Sequence, residues 1–527
     1  MNVPATSRSR EGRVVIGLQD LIVLLGALSL IFFQLENFAD DPGVGWHLKT
    51  GEFIASFLQI PDYDPFLSYG QSRAWVSDQW FADLCFHLLY RGGGWPLLYG
   101  ILTVVYLSTY FGLLYTGVAR QSGSLIAATI GAFFAFKIGQ LHFILRAAMI
   151  GFLFFVITYR IVYTLHARFL NNQGVSKRFY LVVPLLFCLW ANCHPSFALG
   201  LVLISFLPLS LVLDHFFLAR VVTRHSIGGA LMIVALAFFA TIVNPYGIEL
   251  HESITALSKS SYFMNLHEEW QSPNFKEFEG QLFLLIMGTV LTGAFLGGSD
   301  KLRWGFFEYL LVGTFAYFGL TAVRMLPFFG IALSVPVAQA LCNLRNCTVC
   351  VPGGKFAHLP NLFRHVEERE ASSGRGLGAL ALVVIAICSY AAFRGAVPLY
   401  TGSYGPSSER YPYGALTALN MQSEVIHPVV AAGPEWGGFI TFQGREGMRA
   451  IIDDRNTLLG EDFYKSFYAH LKPGASVVSY LQGLGSTHLL LSKNSHLAPW
   501  IIQGNILTEI YRDEQSVLFA VPAKEGE

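Results

Sequence analysis

Charge is scarce in this 527-residue chain: Asp, Glu, Lys and Arg make up 13% of it, 35 acidic against 35 basic, beside 53% hydrophobic residues. That scarcity excludes an ordinary soluble globular chain, and the even balance gives no overall attraction to nucleic acid. Mean hydropathy is +0.48. Cysteine is sparse as well. The seven are Cys85, Cys188, Cys193, Cys342, Cys347, Cys350 and Cys388, so the polar C-terminal segment holds none and is not a disulfide scaffold. Cys347-x-x-Cys350 lacks the second pair that a metal or redox site would need, and reads as incidental loop cysteines. There is no internal repeat. No small-residue cleavage site follows the first apolar run, which therefore reads as an uncleaved anchor rather than a signal peptide.

What is present is apolar length. Windows of about 20 residues predict about eleven spans, at 14–36, 96–118, 123–143, 147–165, 179–194, 196–217, 226–243, 280–298, 305–321, 326–344 and 377–396. Basic residues mark alternate loops: Arg8, Arg10 and Arg13; Arg120; Arg168, Lys177 and Arg178; Arg220 and Arg224; Lys301 and Arg303; Arg345 to Arg375. The positive-inside rule then predicts a cytoplasmic N-terminus, and an odd number of spans puts residues 397–527 outside.

Two predicted outward loops are long, 37–95 and 244–279, while 345–376 reads as a cytoplasmic linker. The first loop ends in Trp80–Tyr90, an amphipathic stretch suited to lying in the membrane interface. The tail alternates predicted strands (Val425–Ala432, Phe439–Phe442, Arg449–Ile452, His488–Ser492, Val517–Val521) with helices (Glu461–Leu471, Val477–Gly483), which predicts a small α/β domain. The expected fold is thus a polytopic α-helical membrane domain, 1–396, followed by an extracytoplasmic α/β domain, 397–527.

Ionisable groups gather where spans should emerge. Asp40 and Asp41, in Asp40-Asp41-Pro42-Gly43-Val44-Gly45-Trp46-His47, follow the first span. They suit a turn and helix cap, or a general base for an acceptor hydroxyl or amine, with Asp41 preferred. His47 reads as a phosphate or hydrogen-bond partner rather than a metal ligand. Asp62-x-Asp64 has metal-diphosphate spacing, yet its flanking Pro61 and Pro65 fit an extended turn equally well. Glu268 and Glu269 are a solvated pair or acids completing a site. Arg146, Arg324 and His194 sit at predicted outer span ends, where a guanidinium snorkels to headgroups or clamps a lipid phosphate. In the tail, Glu435-Trp436-Gly437-Gly438 allows close backbone approach to a ligand or to the membrane domain, or forms a tight turn between strands.

An Asp after the first span, a long first outward loop, many spans and an outward C-terminal domain together resemble the GT-C superfamily of membrane glycosyltransferases. The runs Asp41-Pro42, Trp46-His47-Leu48, Gly51-Glu52, Asp64-Pro65-Phe66, Trp190-Ala191-Asn192-Cys193-His194, Asn244-Pro245 and Glu269-Trp270 are similar to an uncharacterised bacterial branch. The resemblance implies transfer of a sugar from a polyprenyl-phosphate donor at the outer side of a bacterial inner membrane. Asp41 would be the base, and Arg146, Arg324 and His194 would face the lipid phosphate. The branch often carries Asp-Pro-Asp and paired Trp where this chain has Gly43 and Gly45. That favours a metal-independent inverting mechanism, with a divalent metal left open and no other cofactor implied. The tail is also similar to oligosaccharyltransferase catalytic subunits, with Glu435-Trp436-Gly437-Gly438 in place of WWDYG and Trp436 as the expected substrate contact.

Two other classes stay open on the residues alone. A lipid or polymer flippase would place ionisable groups at mid-bilayer and show repeats. A non-catalytic assembly protein would use the tail to bind partners. The acceptor is unspecified by the sequence, as is the sugar.

Overall fold

In the computed structural model, the described residues are 17–34, 37–69, 73–295, 304–349, 364–368, 405–422, 425–474 and 476–524. The predicted span 377–396 and most of the predicted linker 345–376 lie outside them.

Among the described residues the apolar windows become helices. α1 is Leu18–Gln34, α3 Trp80–Leu107, α4 Tyr115–Ser122, α5 Leu125–Gly139 and α6 Ala148–Leu170. α7 is Phe179–Ala191, α8 Phe197–Phe217, α9 Arg224–Ala240, α12 Phe278–Phe295, α13 Phe306–Thr321 and α14 Leu326–Val349. Three further helices belong to the two long loops: α2, Val44–Phe57, in the first, and α10, Glu249–Lys259, and α11, Ser261–Leu266, in the second. Among the described residues, six helical segments are long and apolar enough to cross a membrane, and four shorter apolar helices accompany them. Local chemistry sets several starts: the hydroxyls of Ser124 and Thr223 accept the N–H groups of Ala127 and Ser226 at 3.2 Å each.

α3 is two helices in one. Gly93 and Gly94 break its helical backbone, Gly94 at φ +64°, where a side chain would be strained. Trp95-Pro96 then starts the second half, with Pro in a first turn where no N–H is needed. The break separates the amphipathic stretch expected at Trp80–Tyr90 from the span expected at 96–118. A π-helical segment, Ser108–Leu114, links α3 to α4.

The tail forms a five-stranded sheet of order β2-β1-β3-β5-β4, with β1 Val429–Ala431, β2 Arg449–Ala450, β3 His488–Ser492, β4 Thr508–Arg512 and β5 Ser516–Ala520. β1 runs parallel to β2 and β3, while β5 is antiparallel to β3 and β4. Helices α15 (Tyr413–Met421), α16 (Pro434–Gln443), α17 (Asn456–Leu459), α18 (Glu461–His470), α19 (Val477–Gly483) and α20 (Leu497–Gln503) complete it.

One expectation fails here, and one strand lies where none was expected. Phe439–Phe442 is not a strand but the second half of α16. Pro434 pre-sets its first turn, and its buried face (Trp436, Gly437, Gly438, Phe439, Ile440) packs on two neighbouring backbones, which overrides the β preference of the aromatic run. β4 was not foreseen because it is a polar edge strand, half exposed along its length.

The hydrophobic core has two parts. One lies among the apolar helices. The other joins the tail's sheet and helices to Trp46, Leu67 and Trp75 of the first loop and Phe263 of α11. The tail therefore shares a core with the loops that carry the ionisable groups.

Candidate active site

The turn before α2 sends its two carboxylates in different directions. The Asp41 side chain turns back, its Oδ1 accepting the Gly43 N–H at 2.9 Å, while its Oδ2 pairs with Nε of Arg146. The turn expected at this residue is present, and the same side chain meets Arg146. Asp40 turns toward the tail. Its Oδ1 accepts the Ser407 N–H at 2.6 Å, Arg410 Nε lies 3.5 Å from its Oδ2, and its carbonyl accepts the Tyr411 hydroxyl at 3.1 Å. Asp40 therefore spends its groups on docking the tail.

From Asp41 a line of charges runs into the second long loop. Arg146 Nη1 donates to Glu269 Oε2 at 3.0 Å, and Arg324 Nη1 donates to Glu269 Oε1 at 3.1 Å. The Arg324 guanidinium also lies 4.1 Å over the Trp270 ring. Burial alone would raise the Glu269 carboxyl, but Arg324 and Arg146 outweigh it and hold it at about 2. Burial likewise opposes the Arg146 charge, and Asp41 and Glu269 more than offset that, pushing its pKa further up.

Arg146, Glu269, Trp270 and Arg324 line a cavity of about 340 Å³, which Asp41 borders through Arg146 rather than lining it. Asp78, Arg146, His194, Glu269, Trp270 and Arg324 bound its polar part, and Phe152, Leu199, Ile254, Leu257, Met325 and Phe328 form an apolar wall. His194 Nδ1 accepts the Ser196 N–H at 3.1 Å and lies 2.8 Å from its hydroxyl, which leaves the ring proton on Nε2. Burial first, then Arg324 and Arg146, lowers His194 to about 3, so it is a neutral donor. Burial and the nearby Asp83 raise Asp78 to about 6.

Other expected residues lie elsewhere. His47 turns from the cavity to Asp83, with Nδ1 2.6 Å from Oδ1, and its ring lies 3.6 Å from that of Trp46. Glu268 is exposed and is not among the cavity residues. Trp436 is buried in the tail's core, its indole N–H donating to the Arg410 carbonyl at 2.9 Å. Asp62 is exposed, whereas Asp64 is buried and pairs with Arg455 Nη1 at 2.9 Å.

Arg455 was not foreseen. It lies buried between Asp64 and Asp453, its Nη2 2.7 Å from Asp453 Oδ2, with its guanidinium 4.6 Å from the Trp75 ring centre and 5.3 Å from that of Trp46. Beside it, the Asp454 carboxylate accepts the Trp46 indole N–H at 2.8 Å. The Asp453-Asp454-Arg455 run was visible in the sequence, but nothing there tied it to a loop 408 residues away.

Glycines bring these parts together. A Cβ on Gly45 would lie 1.9 Å from the Gly438 carbonyl oxygen, and one on Gly438 would lie 2.3 Å from that of Pro42. α2 and α16 cross with backbones in contact, so Gly45, a departure from the resembling branch, is a packing requirement. The carboxylates do not form a metal cradle. Asp41 is engaged by Arg146, Asp64 by Arg455 and Asp40 by the tail, and among the described residues no three His, Cys, Asp or Glu side chains cluster as ligands.

No protein-family model matches the chain, and no curated protein matches its sequence. Solved structures do. The archaeal oligosaccharyltransferase AglB of Archaeoglobus fulgidus, in complex with an inhibitory peptide and a dolichol-phosphate, matches at TM-score 0.53 and 14% identity, over 96% of this chain and 74% of its own. The apo form matches at TM-score 0.54 and 13% identity with the same coverage. ArnT of Cupriavidus metallidurans bound to undecaprenyl phosphate aligns over 96% of this chain and 98% of its own, at TM-score 0.42 and 15% identity. At these identities the likeness to AglB is one of fold.

Proposed function

We propose that this protein is an integral membrane glycosyltransferase that moves a sugar from a polyprenyl-phosphate donor to an acceptor at the outer face of a bacterial inner membrane. The observation that carries the reading is the cavity beside Asp41, where two guanidiniums and a neutral histidine meet an apolar wall. A lipid phosphate has the same division, an anionic head and an apolar chain. Arg146, Arg324 and His194 hold the phosphate and stabilise the charge that develops on it as it leaves, while Asp41 faces the acceptor nucleophile and draws off its proton. Attack opposite the departing phosphate inverts the anomeric centre. The dolichol-phosphate in the AglB structure supports a lipid-linked donor.

In this reading the chain crosses the membrane about eleven times, with its N-terminus in the cytoplasm and the tail outside. The tail, docked through Asp40 and the Gly45–Gly438 crossing, forms part of the acceptor side. The cavity's Arg146, His194 and Arg324 sit just beyond the ends of α6, α7 and α14 rather than along their length, which favours transfer over flipping. The test is donor consumption by purified, reconstituted protein over a panel of polyprenyl-phosphate sugars. Turnover that Asp41→Asn abolishes supports the reading; a variant with full turnover removes Asp41 from it.

A further inference from the structure

Asp454 comes to the site from the C-terminal domain, and the reading above makes no use of it. Its Oδ1 accepts the Trp46 indole N–H at 2.8 Å. That indole nitrogen and Asp41 Oδ1 lie 3.2 and 3.0 Å from the point where Gly43 would carry a Cβ. His47 Cδ2 lies 3.2 Å from the same point, so glycine is what lets Asp41 and the indole that holds Asp454 crowd together there. Asp41 has both oxygens engaged, one by the Gly43 N–H and one by Arg146. Among the described residues, only Trp46 donates to the Asp454 carboxylate.

We propose that Asp454 is the second carboxylate of the reaction centre, and that the acceptor proton drawn off beside Asp41 ends on it. This deepens the glycosyl-transfer reading and rests on it. In the step, the acceptor's O–H or N–H bond breaks as its heteroatom bonds to the anomeric carbon. The anomeric C–O bond to phosphate breaks, and its electron pair leaves on the polyprenyl phosphate held by Arg146 and Arg324. Asp41 draws off the proton and hands it to the Asp454 carboxylate, so that Asp41 ends the step ionised and paired with Arg146. The surroundings suit that role. Burial, with Asp41 and Asp453 alongside, lifts the Asp454 carboxyl to about 7 against the pull of Arg146 and of the Trp46 hydrogen bond. A general base works best near the operating pH. His47, Tyr411 and Tyr464 also face it.

The test is the pH profile of transfer. In the wild type kcat rises with pH through about 7 as Asp454 loses its proton. Asp454→Asn keeps an acceptor for Trp46, removes that limb and lowers kcat by about 10²–10⁴-fold, the usual contribution of a general base. Asp41→Asn removes a neighbouring negative charge, so the Asp454 carboxyl, followed by infrared titration without turnover, moves to lower pH; Arg146→Gln moves it to higher pH. An Asp454→Asn enzyme that is slower but keeps the limb would overturn the proposal, since a structural role gives that result. A second readout needs no turnover: carboxyl infrared titration of donor-free protein in lipid nanodiscs. A protonated-acid band lost through about 7 in the wild type and missing from Asp454→Asn is the expected result, and its absence from the wild type overturns the proposal. Failure of the wild type to consume any donor overturns the glycosyl-transfer reading instead.

Discussion

Replacing Gly45 by Ala adds one methyl group to a place with no room for it. The new Cβ would lie 1.9 Å from the Gly438 carbonyl oxygen and 2.4 Å from its carbonyl carbon. An unstrained carbon–oxygen contact is about 3.3 Å, so α2 and α16 must part by about 1.4 Å. Both obstacles are backbone atoms, and no side-chain rotation relieves them. Overpacking costs about 1–3 kcal/mol, and this contact belongs at the top of that range. The effect reaches the chemistry as well, because Asp41 and Pro42 lead directly into α2. A displacement of about 1 Å at a reacting group can cost about 10²-fold in rate. Thermal unfolding and limited proteolysis of the purified protein measure the first effect, and transfer from a polyprenyl-phosphate sugar measures the second. Gly483→Ala in α19 is the control, since a Cβ there meets nothing within 4 Å. It should be neutral or stabilise by up to about 1 kcal/mol. A Gly45→Ala protein that melts, resists protease and turns over like the wild type would refute the crossing as described.

Further predictions address the charges. Arg455→Met leaves Asp64 and Asp453 buried without their partner and should cost about 3–5 kcal/mol in unfolding experiments. Asp64→Asn should cost less, because Arg455 keeps Asp453. Arg324→Gln removes a charge-assisted contact worth about 1.5–3 kcal/mol, so donor affinity by direct binding should fall roughly 10–100-fold. Glu269 is held at about 2 and stays ionised across the neutral range, so Glu269→Gln should tighten polyprenyl-phosphate binding while leaving its pH dependence there unchanged.

The apolar helices were legible because apolar length is written locally. Arg146, Arg324, His194 and Glu269 stood out as ionisable groups at the ends of apolar runs, and the structure brings all four to one cavity. The directions of side chains were not legible. Asp40 and Asp41 are neighbours in sequence, yet one serves the tail and the other meets Arg146, a split set by the turn at Pro42-Gly43. Long-range pairing was hidden for the same reason: Trp46 and Asp454 carry no mutual signal in the sequence. Phe439–Phe442 misled because its helix is fixed by contact with Pro42 and Ile452 rather than by its own propensity.

The most direct test of the central claim is to follow sugar release from polyprenyl-phosphate donors by the reconstituted wild type and by Asp41→Asn, with folding checked in both. The account predicts donor consumption by the wild type and its loss in the Asn protein. Equal consumption by the two, or none by the wild type with any donor, would contradict it.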